Sequence, residues 1–233
     1  MMQRQILESS LDNGKLLRSL GARRGQGKVS AGMQRRIDRW RRRLPDLIQP
    51  KLVNCMVPLR SAQKGRLYLA DGGVFKGPKL ARTLRDADTV CCFVATIGAD
   101  LEAEVQRCMA RNRFADAYVL DTLGSLAVES LVERFHLAHE EQMRARGRGV
   151  TLRFSPGYCD WPVLEQVSLF DRFGQERPAG IRLTETCLMS PRKSISGVFG
   201  IVPHGVDGSV ADYNPCRFCT QRNCKARRAP AGN

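Results

Sequence analysis

The sequence lacks several features that would place it in a common class of protein. It has no run of about 18 or more apolar residues, so no membrane-spanning helix is expected. Its first residues, MMQRQILESSLDNGK, lack the apolar core of a signal peptide, and we therefore expect a cytoplasmic protein. No His-Asp-Ser or Cys-His set suggests hydrolysis, and no internal repeats are present. Hydrophobic residues make up 42% of the 233 positions, which is enough to build a folded core.

Positive charge is concentrated near the two ends of the chain. The formal net charge is +15; residues 1–60 carry 14 basic and 4 acidic side chains, and residues 214–233 carry 5 and none. The run Arg39-Trp40-Arg41-Arg42-Arg43 fits a solvated helix face. It also fits a surface for phosphates, for an acidic protein or for an anionic cofactor. These interpretations stay open, although nucleic acid is not the partner we expect.

The hydrophobic pattern predicts an α+β fold with an N-terminal helical segment. Ile37, Trp40, Leu44 and Ile48 form an apolar stripe at helical spacing within residues 1–50. Helices are predicted at 99–111 and 114–146, and a buried strand at 88–98. The remaining predicted elements are shorter: strands at 52–57, 66–70, 180–186 and 194–204, and an amphipathic helix at 163–173.

The longest predicted helix carries a compact polar stripe. Asp121, Ser125 and Glu129 recur every four residues and therefore share one face, beside the apolar face that includes Leu120 and Leu123. Solvent exposure accounts for such a stripe. Two carboxylates and a hydroxyl over about two turns would also suit an ammonium group.

The stretch Arg153-Phe154-Ser155-Pro156-Gly157-Tyr158 predicts a rigid turn. Pro156 fixes its own φ angle and pushes Ser155 into an extended conformation. Gly157 lets the chain turn where a side chain would clash. The pattern therefore holds Arg153 and Tyr158 at set positions on either side of a bend. We call residues 153–158 the bend.

Three stretches together resemble the activation (reactivation) domain of vitamin B12-dependent methionine synthase. They are the bend, Leu183-Thr184-Glu185-Thr186 and Ser194-Ile195-Ser196-Gly197, and the resemblance covers roughly residues 85–205. It implies a single α+β domain with a mixed or antiparallel sheet and long helices. We expect this domain at residues 61–208, after a basic helical segment at 1–60 and before a Cys-rich tail at 209–233.

The resemblance implies a site for S-adenosylmethionine, which the family binds without a Gly-rich methyltransferase loop. Arg153 would meet the carboxylate of the methionine moiety through its planar guanidinium, and Glu129 would meet the α-ammonium. Ser155 and Gly157 would contact the ligand in the bend, and Asp121 is included in the expected site. Tyr158 would lie beside the methyl donor, near the corrinoid, and is the expected catalytic residue.

The implied reaction is the reductive methylation of a cobalamin or other corrinoid. Because the other modules of methionine synthase do not fit in 233 residues, the corrinoid would be held by a partner. That partner is the catalytic subunit of methionine synthase or another corrinoid protein. A flavodoxin- or ferredoxin-like donor would supply the electron. The protein would contribute proximity and orientation rather than acid–base catalysis.

Three features depart from the family pattern. Cys159-Asp160-Trp161-Pro162 follows the bend where the family continues differently, and Val198-Phe199 replaces an aromatic pair that often closes the Ser-Gly strand. The tail adds Cys216, Cys219 and Cys224 in a C-x2-C-x4-C pattern, which is typical of zinc or iron–sulfur sites. Cys187 or Cys159 would supply a fourth ligand. Free thiols remain an alternative at the tail.

The competing hypothesis for the whole chain is a metal-binding module without S-adenosylmethionine chemistry. Such a module would act in electron transfer, or in nucleic-acid binding through residues 1–60 and the tail.

Overall fold

The structure is a computed structural model that describes residues 29–203 together with Leu16 and Leu20. The chain divides into two compact units, each assembled from three separate stretches of sequence. Unit 1 comprises Met1–Val53, Val94–Phe135 and Arg177–Ile195; unit 2 comprises Asn54–Phe93, His136–Glu176 and Ser196–Asn233. The expected division at residues 1–60, 61–208 and 209–233 remains a prediction, and residues 209–233 lie outside the described part.

The described residues form helices and strands of unequal length. The helices are α1 (Ala31–Leu47), α2 (Pro78–Thr83), α3 (Asp100–Ala110), α4 (Phe114–Arg144) and α5 (Gln166–Phe170). The strands are β1 (Lys51–Gln63), β2 (Arg66–Leu69), β3 (Val74–Lys76), β4 (Thr89–Thr96), β5 (Gly149–Val150), β6 (Arg182–Leu183), β7 (Met189–Ser190) and β8 (Ser194–Val202).

Six of the strands form one sheet in the order β3-β2-β1-β4-β8-β5. The β1–β2, β2–β3 and β5–β8 pairs are antiparallel. Hydrogen bonds from Asp88 N to Ile201 O (3.1 Å) and from Ile97 N to Lys193 O (3.2 Å) make β4 and β8 antiparallel as well. β4 is buried almost throughout, as its continuous apolar run predicts. β6 and β7 form a separate hairpin.

Most of the predicted elements occur, with different limits. Helices α3 and α4 agree with the predicted ranges 99–111 and 114–146 to within two residues. β1 is longer than the predicted strand, since it continues to Gln63 and turns directly into β2. The predicted strand at 180–186 shrinks to Arg182–Leu183. The predicted helix at 163–173 is interrupted, because α5 is flanked by 3-10 turns on both sides.

The core of unit 1 forms where α1, α3 and α4 pack together. Helix α1 begins at the cap Ser30, whose hydroxyl accepts a hydrogen bond from Met33 N (3.2 Å). The predicted stripe is confirmed for Ile37, Trp40 and Leu44, which are buried in α1. Ile48 is also buried, but it follows the helix and its backbone is extended. Leu120, Leu123 and Ala127 form the buried face of α4 that the spacing predicts.

A buried carboxylate ties α1 to α4 in unit 1. Asp116 is only 7% exposed and accepts hydrogen bonds from Trp40 Nε1 (3.0 Å), Arg113 Nε (3.1 Å) and the guanidinium of Arg39. Burial would raise the pKa of Asp116, but these bonds from Trp40, Arg39 and Arg113 outweigh it and hold the pKa below its ordinary value. The carboxylate is therefore ionised and matched by nearby cations.

The arginine run of α1 serves this packing. Arg43 lies over the Trp40 ring at 4.9 Å and pairs with Glu104 (3.6 Å), while Arg39 binds Asp116. Two members of the run thus have partners within unit 1, which accounts for part of the basic pattern without an external ligand.

Unit 2 has its own core on the sheet. Its buried members come from β1, β2, β3, β4 and β8, from α2 and α5, and from the segment after α4; they include Leu67, Phe75, Leu84, Phe154 and Trp161. Among the described residues, no helix combines the length and apolar character needed to cross a membrane.

We expect Asp116→Ala to lower the free energy of unfolding by about 2 kcal/mol at neutral pH, because it leaves the Trp40 N–H buried without its charged acceptor. The difference in the free energy of unfolding between Asp116→Asn and the wild type should shrink as the pH falls below about 3.8, the ordinary pKa of an aspartate. A carboxyl group whose pKa is lowered by folding stabilises the fold above that pH and loses this effect as it becomes protonated in the folded state. Urea denaturation at several pH values measures both effects. Asp38→Ala, which removes a contact of Asp38 with the exposed Gln34 amide, is the control and should change little. Equal stability of Asp116→Ala and Asp38→Ala would contradict the structural role of Asp116.

Candidate functional site

The bend is fastened to strand β8 within unit 2. Phe154 N donates to Val198 O and Val198 N donates to Phe154 O, both at 2.8 Å. This reciprocal pair fixes the backbone between Arg153 and Ser155. Since Phe154 itself is buried, its two neighbours are held at the surface of a rigid element.

A glycine in β8 allows this close approach. A Cβ atom at Gly197 would lie 2.5 Å from Phe154 O, 2.8 Å from Phe93 Cζ and 3.0 Å from Ser155 Oγ. Such distances are too short for non-bonded atoms, so residue 197 has to be glycine for the bend to lie on β8. The Ser-x-Ser-Gly stretch therefore has a steric function that its resemblance alone did not reveal.

The bend then turns tightly before the chain enters the core again. Gly157 adopts φ +87°, which favours glycine, and its N–H donates to Trp161 O (2.8 Å). Tyr158 N donates to Ser155 O (3.2 Å), and Trp161 N donates to Tyr158 O (3.1 Å). The predicted rigid turn is confirmed.

The residues after the bend, which depart from the family pattern, form a second anchor. Both oxygens of Asp160 lie within hydrogen-bond distance of Lys79 N (3.2 and 3.0 Å), at the start of α2. Trp161 is 1% exposed and packs against Phe75 with ring centroids 5.4 Å apart. Residues 153–161 are therefore held at both ends.

Between these anchors the chain presents polar and aromatic groups at the surface. Arg153 and Ser155 are partly buried, Pro156 is buried, and Tyr158 is 55% exposed. The Tyr158 ring is thus accessible on a backbone that its neighbours hold in place. An aromatic residue in that situation can contact a ligand at small entropic cost.

An aromatic cluster in unit 2 surrounds the next part of β8. Phe199 lies 6.2 Å from Phe93 and receives the rings of His136 (4.9 Å) and His139 (5.6 Å) edge-on. His136 Nε2 also lies 2.9 Å from Thr151 O. These two histidines therefore serve packing. Ser196 Oγ donates to Gln166 Oε1 (3.1 Å) in the buried interior.

In unit 1, an ammonium group occupies the polar stripe of α4, and it belongs to the chain itself. Lys193 Nζ lies 2.7 Å from Asp121 Oδ1 and 2.9 Å from Ser125 Oγ. The Lys193 side chain is 11% exposed, and Lys193 N donates to Glu102 Oε1 (2.9 Å). Glu129 lies further along the same helix and is exposed. The ligand-binding roles of Asp121 and Glu129 stay predictions.

A small cavity of about 280 Å³ lies beside Lys193 in unit 1. It is lined by both acidic and basic side chains as well as apolar ones: Ala99, Glu102, Ala103, Val105, Gln106, Asp121, Arg192 and Lys193.

The Leu-Thr-Glu-Thr stretch forms the turn of the β6–β7 hairpin. Thr184 Oγ1 accepts from Leu188 N (3.0 Å), and Cys187 N donates to Thr184 O (2.9 Å). Cys187 is 5% exposed and has φ +60°. Glu185 is exposed at the turn.

The predicted metal site involves residues beyond the described part of the chain. Cys216, Cys219 and Cys224 all lie there, whereas Cys187 is described. Within residues 29–203, no group of three or more His, Cys, Asp or Glu side chains is arranged to hold a metal ion. Zinc or iron–sulfur binding by the tail with Cys187 remains a prediction.

Comparison with known families bears directly on the bend. The family model for the vitamin B12-dependent methionine synthase activation domain matches residues 80–207. The chain belongs to this activation domain family. The match includes the bend, the Leu-Thr-Glu-Thr turn and the Ser-x-Ser-Gly stretch, so the family resemblance is confirmed.

A solved structure shares the fold of the activation domain family. The crystal structure of the MetH reactivation domain bound to AdoHcy superposes with a TM-score of 0.66 at 17% sequence identity. The match covers 91% of this chain and 77% of that one. The predicted α+β fold with an antiparallel sheet is confirmed. No curated protein matches the sequence.

We expect Gly197→Ala to destabilise the activation domain by about 1–3 kcal/mol, because the added methyl group overlaps Phe154 O and the Phe93 ring. Gly149→Ala is the matched control in the neighbouring strand β5, where the nearest atom would lie at an ordinary 3.6 Å. Thermal or denaturant unfolding compares the two. Equal stability of both variants would show that the bend does not need a glycine beneath it.

Proposed function

We propose that this chain binds S-adenosylmethionine at the bend and delivers its methyl group to a corrinoid held by a partner protein. The observation that carries the proposal is the reciprocal pairing of Phe154 with Val198, which holds Arg153 and Ser155 in a fixed geometry. Membership of the methionine synthase activation domain family supports it. The AdoHcy in the similar solved structure supports the chemical class of the ligand.

Arg153 is suited to the carboxylate of the methionine moiety. A guanidinium offers two parallel charge-assisted hydrogen bonds to a carboxylate, which a lysine does not. The backbone N–H and C=O of Phe154, which follows Arg153, are both hydrogen-bonded to Val198. The position of the Arg153 backbone is therefore set before the ligand arrives. Such preorganisation lowers the entropic cost of binding.

Ser155 and Tyr158 complete the part of the site that the bend supplies. Backbone groups near Ser155 contact the ligand, and the exposed Tyr158 ring lies beside the methyl donor. Tyr158 is placed by the turn that Gly157 makes and by the hydrogen bond from Trp161. The aromatic face excludes water on that side of the ligand and orients the sulfonium group.

In the proposed reaction one electron from a flavodoxin- or ferredoxin-like donor reduces the partner's corrinoid from Co(II) to Co(I). The Co(I) corrinoid then takes the methyl cation from the sulfonium of S-adenosylmethionine, which gives methyl-Co(III) and S-adenosylhomocysteine. The chain contributes binding and orientation, because no described residue is required to move a proton in this transfer. The partner is a methionine synthase catalytic subunit or another corrinoid protein.

We expect Arg153→Ala to weaken binding of S-adenosylmethionine by about tenfold or more, because a charged hydrogen-bonding partner of the carboxylate is removed. Isothermal titration calorimetry on anaerobically purified protein measures the change, with S-adenosylhomocysteine as a second ligand. Arg60→Ala, an exposed arginine in unit 2, is the control and should bind as the wild type does. Absence of binding by folded wild-type protein would overturn the proposal.

We also expect Glu129→Gln to weaken binding more than Asp121→Asn does. By family resemblance Glu129 is the partner of the ligand's α-ammonium, whereas the charge of Asp121 is already offset by Lys193 at 2.7 Å. The same titrations rank the two variants, and circular dichroism checks that each one folds. A larger loss of affinity in Asp121→Asn would assign the ammonium contact to Asp121 instead.

A further inference from the structure

Two cysteines face each other across neighbouring strands in unit 2. Cys55 belongs to β1 and Cys92 to β4, which are adjacent in the sheet. Hydrogen bonds from Leu59 N to Asp88 O (2.8 Å) and from Gln49 N to Ile97 O (2.7 Å) make the two strands antiparallel. Counted from the nearer bond, four residues back from Leu59 and four forward from Asp88, Cys55 lies opposite Cys92, while the bond at Gln49 is offset from this register by one residue. Core packing distinguishes Cys92 from Cys91, because Cys92 is a member of the core cluster against which Cys55 packs and Cys91 is not.

The two side chains share one face of the sheet. Cys92 is buried in the core of unit 2, and Cys55 packs against that same core. Side chains opposite each other in an antiparallel pair have Cβ atoms about 4.5–5.5 Å apart, close to the separation that a disulfide requires.

The environments of the two thiols differ. Cys92 is fully buried, whereas Cys55 is partly exposed. Cys55 Sγ lies 3.4 Å from the carbonyl oxygen of Arg172, whose guanidinium is held by Asp71 at 2.8 Å. Cys55 is therefore the member of the pair that is nearer to solvent.

The charges around the pair favour a thiolate at Cys55. The hydrogen bond from Cys92 and the guanidinium of Arg172 lower the pKa of Cys55, against the opposing effects of burial and of Asp71. The hydrogen bond to Cys55 and burial raise the pKa of Cys92. Since the thiolate is the nucleophile, Cys55 is the thiol that reacts first.

We propose that Cys55 and Cys92 form a redox-active dithiol that exchanges with low-molecular-weight disulfides. The Cys55 thiolate attacks one sulfur of the disulfide, which forms a mixed disulfide and releases one thiolate. The released thiolate takes up the proton of Cys92, and Cys92 then attacks Cys55 Sγ, which releases the second thiolate. Two protein thiols are oxidised to one disulfide, and one small disulfide is reduced to two thiols.

The neighbouring Cys91 serves as an internal control. Successive side chains of a strand point to opposite faces, so Cys91 faces away from Cys55. Burial raises the pKa of Cys91 to about 12. Its thiol is therefore neutral and inaccessible under conditions in which Cys55 reacts.

The test is to incubate the full-length protein with glutathione disulfide, quench it with acid, alkylate it and map the disulfides by mass spectrometry. We expect a crosslink between the tryptic peptide that contains Cys55 and the one that contains Cys91 and Cys92. The crosslink should persist in Cys91→Ala and be lost in Cys92→Ala, where glutathione should remain on Cys55. Circular dichroism confirms that the variants fold.

Three outcomes would overturn the proposal. The first is an unmodified Cys55 in folded wild-type protein after incubation, and the second is a mixed disulfide that never resolves. The third is a crosslink that survives in Cys92→Ala but not in Cys91→Ala. Because the assay reads the cysteines alone, its result is independent of S-adenosylmethionine binding.

Discussion

The pairing of Phe154 with Val198 is the constraint on which the candidate site depends. Two backbone hydrogen bonds hold a non-regular segment against the interior strand β8, and Gly197 leaves the space for it. A side chain at that position would separate the bend from the sheet, and the groups on either side of Phe154 would lose their fixed positions. Trp161 packs in the core at the far end of the same segment, so residues 153–161 are fixed at both ends.

Several charges that suggest external partners have partners inside the chain. Asp116 accepts hydrogen bonds from the indole N–H of Trp40 and from two arginines. Lys193 supplies the ammonium group that the polar stripe of α4 is suited to bind. Each pair satisfies a charge that would otherwise be costly to bury. The net charge of the chain is therefore a weak guide to its ligands, because part of that charge stabilises helix packing.

Cysteines that are adjacent in the sequence have different surroundings in the structure. Cys91 and Cys92 are adjacent in sequence, yet they face opposite sides of β4 and differ in their neighbours. Only Cys92 lies opposite a partly exposed thiol with a guanidinium nearby. This contrast follows from the antiparallel register of β1 and β4, which places residues 37 positions apart side by side.

The sequence by itself determined the elements whose signals are local. The periodicity of α1 and α4 and the continuous apolar run of β4 predicted those elements, and Pro156 with Gly157 predicted the turn, since each depends on neighbours along the chain. Only the tertiary structure decided which distant residues meet: Lys193 with Asp121, Trp161 with Phe75, and Cys55 with Cys92. Strand register and helix packing set those contacts, and they depend on the whole core rather than on any local pattern.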